Sequence, residues 1–232
     1  MATLTPAVKA LFAKHYLFGQ LSSLELDMLV ARARIERYRV GQTVFVSQSE
    51  GRGMMAVLSG RVRISAMSRD GRELVLNSIE AGEVFGELAL LDGKERTADA
   101  VAALDSELLV LERREFVPFL EEHPLLAMRL LAIVTERLRQ TTAQATEIAL
   151  LRLESRLAKQ LLKLLGGQGA VVNGAVVGAR LTQRQLGQMV GASRESVNKQ
   201  FADWQRRGIA QFRAGTITVI NAAALRDLAV DV

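Results

Sequence analysis

The sequence predicts an α+β chain. An all-β barrel or roll comes first, a long central helix follows, and a small domain of two short helices and a hairpin ends the chain. Three observations predict it. Eight glycines, at 41, 51, 53, 60, 71, 82, 86 and 93, punctuate short apolar runs at the spacing of an all-β barrel or roll. After Pro124 no strong breaker interrupts the chain until Gly166-Gly167. Arg180–Gly208 then reads as two helices about a tight turn, and Ala214-Gly215 marks a hairpin.

In chain order, residues 7–38 read as helical, with Leu21, Leu24, Met28 and Leu29 at helical spacing and Ser22 or Ser23 as N-cap. From Gly41 the period changes to two. Val62, Ile64 and Ala66 alternate with Arg61, Arg63 and Ser65, the pattern of a half-buried strand. Asp70-Gly71 is a hairpin turn signal, and Leu74, Leu76 and Ile79 follow it. Glu107–Leu111 is the last strand of the roll, before a short helix around Arg113–Glu121. His123-Pro124 breaks the chain there. Beyond the diglycine, 170–177 reads as a strand pair around Asn173-Gly174, and Gln211–Val219 as a hairpin.

Composition excludes several chemistries. Apolar residues make up 49% and charged residues 24% of 232, which is enough for a sizeable core. The absence of cysteine excludes a disulfide framework, a cysteine-ligated metal site and a thiol nucleophile. No apolar run approaches the ~20 residues of a membrane span. The start, MATLTPAVKALF, lacks a signal-peptide layout, so a cytoplasmic protein without a membrane partner is expected. There is no P-loop, no Gly-x-Ser-x-Gly and no His-Glu-x-x-His. His15 and His123 stand alone. No catalytic residue, metal site or cofactor is therefore expected, and Met54-Met55 reads as core.

On the central helix, Leu131, Val134, Leu138, Thr141, Ala145 and Ile148 recur at steps of three and four, the a/d seam of a coiled coil. A helix packed only on its own domain shows a wider apolar stripe. The seam is therefore read as a homodimer interface, with Thr141 as its odd polar member.

Charge is unevenly spread. Of 30 basic and 25 acidic residues, 11 and 5 lie from Leu153 onward, leaving 19 and 20 before it. A basic final third suits a polyanion, although a merely solvated basic surface gives the same count. The segment TQRQLGQMVGASRESVNKQFADWQRRG decides for DNA. Thr182 can cap a first helix facing inward through Leu186 and Val190. Gly187 is small where helices cross, and Gly191 suits a turn of positive φ. Ser193 can cap a second helix anchored by Val197 and Phe201. These intervals form a helix-turn-helix. Arg194, Glu195, Asn198 and Lys199 then face outward, with side chains suited to base edges or phosphates. Arg206 and Arg207, at the far end, suit phosphates.

A second segment runs Val84-Phe85-Gly86-Glu87-Leu88-Ala89-Leu90-Leu91-Asp92-Gly93-Lys94-Glu95-Arg96-Thr97-Ala98. Gly86 permits close backbone approach, and the amides after it can point at an anion. Arg96 can face a phosphate with a planar fork, with Thr97 adding a hydroxyl. From spacing alone, Glu87 and Arg96 read equally as an ordinary ion pair.

Together these texts resemble the cyclic-AMP receptor protein / fumarate-nitrate regulator (Crp/Fnr) family of bacterial transcription factors, over nearly the whole chain. The anchors are Met189-Val190-Gly191-Ala192-Ser193-Arg194-Glu195-Ser196-Val197 and the Gly86–Ala98 cassette. The resemblance implies an α+β fold with a jelly-roll-like cyclic-nucleotide-binding β-roll (1–123), a dimerisation helix and hinge (124–152) and a winged helix-turn-helix (153–232). It matches Arg194, Glu195 and Lys199 to the family's base-reading positions. Lys199 departs from the usual Arg, and Gln200 replaces a usual apolar residue. It also implies that Glu87 binds the ribose 2′-hydroxyl. Arg96, Thr97 and the amides near Glu87 and Leu88 would hold the cyclic phosphate, and Arg137, Thr141 and Thr142 would lie on the base side. Cyclic AMP is the implied allosteric ligand, with double-stranded palindromic DNA, a second copy of the chain and RNA polymerase as partners. The ligand would bridge roll and central helix and set two recognition helices one DNA turn, ~34 Å, apart. Alternatives are cyclic GMP or another effector, DNA binding without ligand, or a regulatory subunit of an enzyme. The last should lack the helix-turn-helix text.

Overall fold

A computed structural model describes Ala10 and residues 17–19, 21–166, 174 and 181–229. The strand pair expected over 170–177, the helical reading of residues 7–16 and His15 lie largely or wholly outside them. The described chain forms helix α1 (Ser23–Ala31), strands β1 (Arg34–Tyr38), β2 (Thr43–Phe45), β3 (Gly53–Ser59), β4 (Arg61–Met67), β5 (Glu73–Glu80) and β6 (Val84–Phe85), helix α2 (Glu87–Asp92), and strands β7 (Asp99–Ala102) and β8 (Ser106–Glu112). Helices α3 (Arg113–Glu122), α4 (Pro124–Leu150), α5 (Leu153–Leu164), α6 (Gln183–Val190) and α7 (Arg194–Arg206) follow, then β9 (Ala210–Arg213), β10 (Thr216–Val219) and α8 (Ala222–Ala229). It divides into two compact units, 1–67 with 76–139 and 68–75 with 140–232.

The first unit is the roll. Its two four-stranded sheets have the orders β1-β8-β3-β6 and β2-β7-β4-β5. β3 reads Gly-Met-Met-Ala-Val-Leu-Ser without polar alternation because both its faces are covered. Met54, Ala56 and Leu58 join Phe116, Phe119 and Leu130 in one core layer. Met55 and Val57 turn the other way, towards Val62, Ile79 and Phe85. β8 does the same, with Leu109 and Leu111 in the first layer and Leu108 and Val110 in the second.

Three local expectations are corrected. Residues 34–38, expected to be helical, form β1, paired with β8 from Arg34↔Val110 to Tyr38↔Ser106. Arg34 Nε donates to Glu36 Oε1 at 2.7 Å, and residues two apart share a face only in a strand. On α1 the cap is Ser22, whose Oγ accepts from Glu25 N at 3.2 Å, while Glu25 Oε2 accepts from Ser22 N at 2.7 Å. This box fixes the phase of the helix, so Leu26, Leu29 and Val30 turn inward and Leu24 and Met28 lie exposed. In β4, Ser65 is buried where alternation places it outward, because the strand is covered on both sides at that point.

The second unit is built around Trp204, fully buried among Leu157, Leu161, Leu186, Val197, Ile217 and Leu225. Its Nε1 donates to Glu154 Oε1 at 2.9 Å, which satisfies the one polar atom of a large apolar side chain. Two helices about a turn, a β9–β10 hairpin and α8 enclose this core.

Candidate functional site

The cassette begins where β6 ends. Gly86 takes φ 77°, a left-handed conformation, and a Cβ there would stand 2.6 Å from Arg96 Nη1. Both the turn and the close approach exclude any other residue. Arg96 is only 6% exposed. Its Nη1 donates to the Gly86 carbonyl at 2.8 Å and its Nη2 to the Gly53 carbonyl at 2.7 Å. Its Nε is buried without a partner among the described residues. A guanidinium has five N–H donors, and two are used here, both on neutral acceptors. Burial presses the Arg96 pKa below its ordinary value, and the nearby Glu87 charge opposes that shift. The residue is a buried cation with no carboxylate bonded to it.

Glu87 is 3% exposed and does not bond Arg96. Its Oε2 bonds Arg137 Nη1 instead, and Arg137 Nη2 bonds the Val84 carbonyl. The ion-pair alternative for Glu87 and Arg96 is therefore not realised. The pair Glu87–Arg137 ties the cassette to α4. Breaking such a pair leaves a buried charge unpaired, at a cost of about 3–5 kcal/mol. Leu88 and Thr97 are exposed at the rim of the cassette. Thr141 and Thr142 are exposed on α4, Thr141 one turn beyond Arg137. The cassette brings Gly86, Glu87, Arg96 and Arg137 together.

Along α4, Leu131 is 56% and Leu138 65% exposed, Ile148 is exposed and Val134 half-buried. Thr141 and Ala145 are exposed as well. Leu125 and Met128 extend the exposed apolar stripe towards the start of the helix, a continuation that the strict a/d steps did not include.

The helix-turn-helix follows its text closely. Thr182 Oγ1 accepts from Gln185 N at 3.1 Å, and Gln185 Oε1 accepts from Thr182 N at 2.8 Å. Gly191 takes φ 67°, and a Cβ on Gly187 would lie 2.4 Å from the Ala192 carbonyl oxygen. Ser193 Oγ accepts from Ser196 N at 3.1 Å and starts α7. Arg194, Glu195 and Lys199 are exposed and make no side-chain hydrogen bond or ion pair among the described residues. Asn198 Oδ1 accepts from Gln183 Nε2 at 3.0 Å. Arg206 bonds Asp203 at 3.1 Å, while Arg207 bonds Asp203 at 3.0 Å and Glu154 at 2.5 Å, so both charges already have carboxylate partners.

Sequence reasoning missed the Gly53 carbonyl and the ring of Phe45, whose centroid lies 4.2 Å from Arg96 Cζ. Neither carries a local signal, since both come from strands far from the cassette in sequence. Among the described residues no helix is long and apolar enough to cross a membrane.

A β-roll followed by a capped helix-turn-helix is the architecture of a class of DNA-binding regulators. Comparison with known proteins agrees. Residues 35–123 match the model of the cyclic nucleotide-binding domain, and residues 155–228 that of the Crp-like helix-turn-helix domain. The chain is 32% identical to the cyclic AMP receptor protein of Thermus thermophilus, over 92% of this chain and 96% of that one. It is also 32% identical to the CRP-like cAMP-activated global transcriptional regulator of Mycobacterium tuberculosis, over 80% and 83%. The crystal structure of the Thermus thermophilus catabolite activator protein is 31% identical, with a TM-score of 0.54 over 92% of this chain and 98% of that one. The c-di-GMP responsive global regulator CLP of Xanthomonas campestris shares the fold, with 24% identity and a TM-score of 0.76 over 86% and 100%. The chain belongs to the Crp/Fnr family: it is a DNA-binding transcription regulator with a cyclic nucleotide-binding domain, not an enzyme.

Proposed function

We propose that the chain acts as a homodimer that binds cyclic AMP in its roll and a two-fold symmetric operator through its helix-turn-helix. Residues 1–123 form the ligand domain, 124–152 the dimerisation helix and hinge, and 153–232 the DNA-binding domain. The observation that carries this reading is Arg96, a buried cation whose two engaged nitrogens meet only neutral carbonyls. A desolvated, uncompensated positive charge favours an anion that brings its own charge. The cyclic phosphate is such an anion, received by the remaining Arg96 N–H groups, the Thr97 hydroxyl and the amides near Gly86, Glu87 and Leu88. Glu87 accepts the ribose hydroxyl. One of its oxygens is held by Arg137, which fixes the carboxylate for that task. Thr141 and Thr142 meet the purine.

The exposed stripe of Leu131, Val134, Leu138, Thr141, Ala145 and Ile148 pairs two copies. Arg194, Glu195, Asn198 and Lys199 read DNA, with Thr182 and Ser193 at the helix starts that face the backbone phosphates. RNA polymerase is the further partner of such a regulator, and the cytoplasm is its place. Ligand binding shifts the dimer between two geometries only as far as its affinities for the two differ.

Isothermal titration of the wild-type chain and of Arg96→Leu with cyclic AMP and cyclic GMP tests this. One cyclic AMP per chain is expected. Loss of the charge-assisted bonds should weaken binding by roughly 30- to 1,000-fold. Unchanged affinity in a folded Arg96→Leu protein sinks the ligand assignment. Tighter binding of cyclic GMP reassigns the base.

A further inference from the structure

Arg96 is held by more than its two carbonyls. Its Cζ lies over the ring of Phe45, 4.2 Å from the centroid. Phe45 ends β2, and its ring stands 5.8 Å from that of Phe85, the residue before Gly86. The ring therefore packs beside the strand that leads into Gly86. A cation within about 6 Å of an aromatic centroid is attracted by the ring quadrupole, and the attraction grows as water is excluded. Water is excluded here, since Arg96 is only 6% exposed.

The choice of an aromatic partner has a chemical consequence. Burial by itself disfavours the charged guanidinium and lowers its pKa. A carboxylate bonded to Arg96 would offset that cost, but it would cancel the charge and take up the N–H donors that an anion needs. A π-face stabilises the cation without cancelling its charge and without using any N–H. Glu87, the carboxylate whose charge acts on Arg96, is bonded to Arg137 and not to Arg96.

We propose that Phe45 is a positioning residue for anion capture, holding the Arg96 guanidinium in a fixed orientation so that its unused N–H groups remain available. The inference rests on the cyclic-nucleotide reading and adds to it a residue outside the Gly86–Ala98 cassette.

The test is titration of cyclic AMP into the full-length chain with Phe45 replaced by 4-fluoro-, 3,5-difluoro- and 3,4,5-trifluorophenylalanine, beside Phe45→Leu. Fluorine withdraws ring electron density while nearly preserving shape. Affinity should fall stepwise with fluorine number, and Phe45→Leu should bind about 3- to 30-fold more weakly than wild type. Thermal melts identify any variant that fails to fold, and the fluorinated series remains readable if Phe45→Leu does. A flat series at wild-type affinity overturns the proposal and leaves Phe45 as packing only. If the wild-type chain binds no cyclic nucleotide, the functional reading fails and this inference fails with it. Wild-type binding with a flat series overturns this inference alone.

Discussion

Two arginines in this chain do opposite things with the same functional group. Arg96 is buried and held in place by two backbone carbonyls, whereas Arg194 is exposed and makes no side-chain bond among the described residues. The first suits a small anion that must be captured in a fixed pose. The second suits a partner whose own groove supplies the order. Arg194 lies one residue past the cap Ser193, at the start of α7. If it grips a guanine through two hydrogen bonds, Arg194→Ala should cost roughly 1–3 kcal/mol on the specific site and less on scrambled DNA. Binding isotherms on both DNAs across a salt series separate the cases. Equal weakening on both would make Arg194 a phosphate contact and move base reading to Glu195, Asn198 or Lys199. Asn198 is the less free of these, because Gln183 already engages its amide oxygen. At this scale the site was legible where the chemistry is local. Gly86, Glu87, Arg96 and the caps Thr182 and Ser193 stand out within short segments. Phe45 does not, since it meets Arg96, 51 residues later in the sequence, only after the roll has folded.

Elements were legible when their own period decided them. The α4 helix and both helices of the helix-turn-helix follow from apolar spacing and capping chemistry, as the boxes at Ser22 and Thr182 illustrate. The failure at 34–38 has a different cause. Arg34-Ile35-Glu36-Arg37-Tyr38 carries no strong turn signal before it, and its strand state depends on pairing with Ser106–Val110. Long-range pairing overrides weak local propensity. The stripe of α4 is the reverse case: its spacing is plain in the sequence, and its exposure leaves it unexplained within one chain. Leu138, 65% exposed, is its best probe. Leu138→Arg removes no core contact of the single chain, so the fold should survive. In a two-stranded seam it would instead bury a charge against its symmetry mate, at a cost of several kcal/mol. Sedimentation velocity should then show monomers with an unchanged circular dichroism spectrum. A variant that sediments like a wild-type dimer removes α4 from the interface.

For the whole molecule, the division of charge matches the division of labour. The near-neutral first part carries the cyclic nucleotide-binding domain, while the excess positive charge lies in the last third, which carries the helix-turn-helix. Two sites in one chain become a regulator only if they are coupled, and coupling is a free energy shared by both ligands. If cyclic AMP raises operator affinity by some factor, the operator must raise cyclic AMP affinity by the same factor. That factor is typically about 5- to 150-fold. The expected outcome is therefore a matched pair of numbers. Fluorescence anisotropy on a two-fold symmetric operator, with and without saturating cyclic AMP, measures the first. Calorimetric titration of cyclic AMP into the free protein and into its operator complex, in the same buffer and salt, measures the second. Equal factors above one identify the nucleotide as the allosteric ligand. Two factors of one, with both ligands bound, would mean that the roll binds its nucleotide without control over DNA, and a different effector would then have to be sought.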